Sequence, residues 1–172
     1  SFLDDILLCG QIYSKLILND SEDRVYREAL EDLNHIQGAP AYLLLMYLFR
    51  NNERLEMTEA DINAVIKLLS KYFVRRNVTD YPGTRDLQRM FMDIIARIED
   101  SAQKADRVVK IIVGVLCMPE HCASDEMFRK KLEGDIYKDN VGAARYILCK
   151  LAESKMTHET WTDLWKRSDK NN

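Results

Sequence analysis

A chain of 172 residues, 47% hydrophobic and 31% charged, is long enough to bury a real core as one domain or two small subdomains. Its 25 Lys and Arg against 28 Asp and Glu give a formal charge of -3, which excludes a wholly basic nucleic-acid binder and confines any phosphate contact to a local patch. Six glycines and three prolines are too few for the many tight turns of a sandwich or barrel, and no low-complexity linker interrupts the chain.

The composition therefore favours helices, and the periodicity places them. Phe2, Leu3, Ile6, Leu7, Ile12, Leu16 and Ile17 recur at spacings of three, four and their sums, which predicts an amphipathic helix. The stretch NDSEDRVYREALEDLNHI offers Asn19, Asp20 or Ser21 as an N-cap and an acidic first turn through Glu22 and Asp23, before QGAP ends the second helix. AYLLLMYLF, apolar on nearly every face, predicts a helix buried on most sides; it is too short to span a bilayer. In MTEADINAVIKLLSKYFVRR, Thr58 is the expected cap and Ile62, Val65, Ile66, Leu69, Tyr72 and Phe73 the buried stripe, with the helix ending near Arg76.

After a loop over NVTDYPG, Thr84 is expected to cap a helix that turns Leu87, Phe91, Ile94, Ile95 and Ile98 inward. ADRVVKIIVGVLCM continues helical up to Pro119, and Ser124 or Asp125 opens EMFRKKLEGDIY. VGAARYILCKLAESK follows, then HETWTDLWKRS, with Thr157 as its cap. The sum is an all-α fold, a compact multi-helix bundle of about nine helices, with 1–80 and 81–172 as candidate subdomains. The first residues, SFLDDILLCG, lack the basic start of a signal peptide, and Cys9, Cys117, Cys122 and Cys149 lie mostly in apolar contexts. These features predict reduced thiols in a cytoplasmic protein. The absence of an initiator Met and a start within a helical pattern suggest a fragment of something longer.

Candidate chemistry is sparse. Cys117, His121 and Cys122 fall within six positions, but a structural zinc site needs four ligands from two spaced pairs, and neither His35 nor His158 has a neighbouring Cys. No metal, cofactor or catalytic residue is expected in the chain. The six glycines are isolated from one another, so no Gly-rich phosphate loop exists. A self-contained enzyme would have to join His121 to Cys117 or Cys122 in a pocket.

Two features suit partners instead. Between Lys71 and Arg89 five cations (Lys71, Arg75, Arg76, Arg85, Arg89) face two acids (Asp80, Asp86), a local +3. Members four apart on each helix share a face and could together line a groove for duplex phosphates. The alternative is structural, because cations complement a helix C-terminus and arginine forks serve contacts between domains. Trp161 and Trp165, one helical turn apart, could anchor a protein partner or pack against this or an adjacent domain.

Three segments in order, YFVRRNVTDYPGTRDLQRMFMDII, SDEMFRKKLEGDIY and ARYILCKLAE, resemble the helical middle region of GmrSD-like modification-dependent restriction endonucleases, over roughly residues 40 to 155. That resemblance implies a non-catalytic scaffold or DNA-contacting domain between a nucleotide-using ParB-like module and an HNH-like nuclease module of a phage-defence protein. The family's Asp-Gly-Gln-Gln-Arg and Glu-His-Ile type motifs have no counterpart here, so no catalytic residue is carried over. Its implied partners are the flanking modules and double-stranded DNA. A free-standing helical interaction or dimerisation module, forming a homo-oligomer, is the alternative.

Overall fold

The computed structural model describes residues 2–18, 24–101 and 104–166, and among these every regular element is helical. In chain order they are α1 (Phe2–Leu18), α2 (Arg24–His35), a 3-10 turn (Ala39–Ala41), α3 (Tyr42–Asn51), α4 (Glu59–Thr79), α5 (Thr84–Ser101), α6 (Ala105–Leu116), α7 (Asp125–Leu132), α8 (Ile136–Asp139) and α9 (Val141–Glu153). The expected caps at Asn19, Asp20 or Ser21 and the acidic turn at Glu22 and Asp23 lie outside the described residues.

The 21-residue α4 is the central post, packed against α2, α3, α6, α7 and α9. Its N-terminus is fixed by a capping box. The Thr58 hydroxyl accepts from the Asp61 amide at 3.2 Å, and the Thr58 amide donates back to the Asp61 carboxylate at 2.8 Å. The whole expected stripe, Ile62 to Phe73, is buried, and it joins one hydrophobic cluster that runs from Leu16 on α1 to Tyr146 on α9. Phe73 stacks on Phe91 of α5 at 6.4 Å. From α5, Leu87, Phe91, Ile94 and Ile98 reach the same core with Met90, while Ile95 is only partly covered.

Four boundaries differ from the sequence expectation, each for a local reason. First, α4 runs through Asn77 to Thr79 instead of ending near Arg76, and Asp80 closes it in the left-handed conformation. This extra turn is buried but satisfied: the Asn77 amide donates to the Ile36 carbonyl at 2.5 Å and the Thr79 hydroxyl to the Arg75 carbonyl at 2.8 Å. Second, Thr84 is the first residue of α5 rather than its cap, and its hydroxyl accepts from Arg76 at 3.2 Å.

Third, EMFRKKLEGDIY breaks at Glu133–Asp135 into α7, capped by Ser124, and the single turn α8; Asn140 then caps α9 by accepting from the Ala143 amide at 2.9 Å. Fourth, HETWTDLWK forms turns rather than a helix. Thr160 and Asp163 side chains take the Thr157 and Trp165 amides at 2.8 and 2.9 Å, competing with the helical ladder. No described helix is long and apolar enough to cross a membrane.

Candidate functional site

The basic stretch divides into two arginines with partners inside the chain, Arg75 and Arg76, and three exposed cations. Arg75 points across to the start of α7, where it donates to the Ala123 carbonyl at 2.9 Å, pairs with Asp125 at 2.7 Å and lies 4.9 Å over the Phe128 ring. Arg76 folds back over the α4–α5 turn. It donates to the Pro82 carbonyl, Asn77 Oδ1 and the Thr84 hydroxyl at 3.1, 3.1 and 3.2 Å and pairs with Asp80 at 3.3 Å. Both guanidiniums therefore tie elements of the chain together, using the fork geometry that lysine lacks. Lys71, Arg85 and Arg89 are exposed, and Arg89 approaches Asp86 at 3.6 Å.

Cys117, His121 and Cys122 sit in the turns between α6 and α7. The Nδ1 of His121 meets the Val115 carbonyl at 3.0 Å, and its own carbonyl accepts from the Tyr72 hydroxyl at 2.8 Å, so the residue is spent on holding α4 to this turn. Burial pushes the Cys122 thiol above its ordinary pKa, with nearby Arg75 opposing only in part. An activated nucleophile needs the opposite shift. Among the described residues no three His, Cys, Asp or Glu side chains are grouped to hold a metal.

The two tryptophans separate. Trp165 lies against the body of the protein: its ring stacks on His35 at 3.7 Å and 7°, and its Nε1 donates to Glu153 at 3.0 Å. Arg145 covers it at 5.5 Å. Burial lowers the His35 pKa, outweighing the neighbouring carboxylates Asp32 and Glu31, and so favours the neutral form of the stacked ring. Trp161 instead stays 69% exposed on the rim of a cleft of about 620 Å³. The charges lining that cleft are largely matched within it, Lys150 reaching Asp32 at 2.5 Å and Glu153 at 3.0 Å, and Arg27 reaching Glu31 at 3.2 Å.

Among the described residues, large apolar side chains are left uncovered most densely on α1, which the sequence reads as an ordinary amphipathic helix. Of the residues on α1 only Leu16 is buried, with Cys9 and Ile12 partly covered, and the helix rests on α3 along that one edge. Asp5 pins it by pairing with Arg50 at 2.6 Å, and Lys15 lies over the Tyr26 and Phe49 rings at 5.0 and 5.4 Å. Phe2, Leu3, Ile6, Leu7, Tyr13, Ile17 and Leu18 all remain exposed, with Phe2 at 77% and Leu3 at 74%, and so does Leu8 on the opposite side of the helix. The signal was present in the sequence: eight of the 17 residues of α1 are large, apolar and left exposed, more than one packing face can use.

What the fold defines is the class, an all-α helical protein. Beyond that class no protein-family model, curated protein or solved structure matches the chain.

Proposed function

We propose that this chain is a non-catalytic helical scaffold that works by holding another protein surface. The observation that carries this reading is the outer face of α1. A contiguous apolar surface of this size is unusual on a soluble monomer and marks an interaction site. Such a role suits the helical middle of a GmrSD-like restriction protein, which would transmit contact between its flanking modules, and it suits a free-standing interaction module equally. Trp161, exposed on the rim of the cleft between α2 and α9, is a secondary anchor candidate.

The test is the native size of the protein in extract of its own cells, compared with a Leu3→Glu/Leu7→Glu variant whose helicity is checked separately. Wild type should elute in an assembly larger than the 20.1 kDa chain, and the variant should leave it. Identical elution of the two would refute the reading.

A second reading, contact with duplex DNA, is supported by the exposure of Lys71, Arg85 and Arg89. It expects weak binding at low salt, with a salt slope reduced by about 1 for each of these cations removed. No retention of duplex at low salt would dismiss it.

A further inference from the structure

Resting on the reading that the outer face of α1 binds protein, we propose that its partner is a second copy of this chain, with the two α1 helices antiparallel and crossing at Gly10. Leu3, Ile6, Gly10, Tyr13 and Ile17 are spaced three, four, three and four apart, the seam of a helix that packs on another helix. All five are exposed, Tyr13 and Ile17 to just under half, so the chain leaves most of this seam open. Its centre is a glycine in mid-helix, a residue that weakens a helix unless close approach requires it. A Cβ built on Gly10 meets nothing within 4 Å, so no contact within the chain calls for its small size. A second backbone crossing there would.

The face is also its own complement. About a two-fold axis at Gly10, Leu3 falls opposite Ile17, Leu7 opposite Tyr13 and Phe2 opposite Leu18, large apolar against large apolar, while Ile6 meets the small hydroxyl of Ser14 beside the notch. No charged residue stands on it: Asp5 is turned to Arg50 and Lys15 to Tyr26 and Phe49, while Asp4 lies about 120° around the helix from Gly10. An uncharged face meets its copy without like-charge repulsion, and antiparallel alignment opposes the two helix dipoles favourably. The seven apolar side chains on the Gly10 side keep between 45% and 77% of their surface open and together present on the order of 800 Å², close to the ~800 Å² that each partner contributes to a stable complex.

The experiment is sedimentation equilibrium of the purified wild-type chain, Gly10→Ala and Leu7→Glu, from about 1 to 100 μM, with thermal melts of each at the lowest concentration. Wild type should run as a dimer of twice 20.1 kDa, and Leu7→Glu as a folded monomer. Gly10→Ala gives the sharper outcome, because alanine favours the monomer's helix yet sets a methyl group at the crossing. Its melting temperature as a dilute monomer should rise while its dimer dissociation constant rises about tenfold or more, in the manner of a disrupted close helix crossing.

A wild-type monomer at 100 μM overturns the proposal, and so does a dimer indifferent to both substitutions. A purified monomer that nonetheless elutes in a larger, Leu3- and Leu7-dependent assembly from extract overturns only the self-association and leaves the interaction scaffold standing.

Discussion

Replacing Arg76 by alanine tests whether the basic stretch serves the fold or a partner. The guanidinium is 14% exposed and donates to three acceptors across the α4–α5 turn, among them the carbonyl of buried Pro82. A hydrogen bond to a charged group contributes about 1.5–3 kcal/mol, and a buried carbonyl left without its donor costs about 1–3 kcal/mol. These terms overlap, and the pair with Asp80, 89% exposed on the acid side, adds little. The expected loss is about 3 kcal/mol in urea unfolding, or about 6–12 °C in a chain of this length. Arg76→Lys keeps the charge but not the fork and should recover only part of it. Lys71→Ala, at an exposed position, should stay within about 0.5 kcal/mol of wild type. If Arg76→Ala unfolds with the wild-type midpoint, while weakening retention on duplex DNA, the structural assignment of this arginine is wrong.

Three other outcomes follow from the geometry. Thr58→Ala removes one half of the capping box and should cost about 1 kcal/mol in denaturant unfolding. The Thr58 hydrogen bonds hold the Asp61 carboxyl below its ordinary pKa, so this cap stabilises the fold above about pH 4 and is lost as pH falls through the lowered folded value. The variant's stability should therefore fall less than wild type's on acidification below that point.

Trp165→Ala removes a half-buried ring stacked on His35 and should destabilise by about 2 kcal/mol, below the full-burial range, whereas Trp161→Ala should leave the unfolding midpoint unchanged. Because the His35 pKa is lowered, its stacked form stabilises above about pH 6.5, and that contribution should decline as pH drops toward the folded value, which titration of wild type against the Trp165 variant will read. Alkylation at pH 8 with mass-spectrometric mapping should label exposed Cys117 ahead of Cys122, whose thiol is raised by burial; faster labelling of Cys122 would revive the nucleophile reading.

Helix identity and the inward stripes of α4 and α5 were legible because a 3.6-residue period repeated over five turns leaves one solution for which side is apolar. Caps written in local chemistry, at Thr58 and Ser124, were equally legible. The misread boundaries depend on partners far away in sequence. Asn77 and Thr79 look like loop residues until Ile36, 41 positions back, supplies the acceptor that lets Asn77 be buried in a helix. The expected C-terminal helix yields to turns whose last ring, Trp165, gains His35 as a stacking surface that periodicity does not contain.

The same division separates the candidate sites. Sequence by itself determined the all-α class, the buried stripes and the local excess of positive charge, since each follows from residue spacing along one helix or from composition. Only tertiary structure decided what those residues face. It directed Arg75 and Arg76 to carbonyls and carboxylates within the chain and aimed the His121 ring at a backbone oxygen. It also left most of α1 uncovered, because a period reveals that a helix has an apolar side but not how many of its sides find a neighbour.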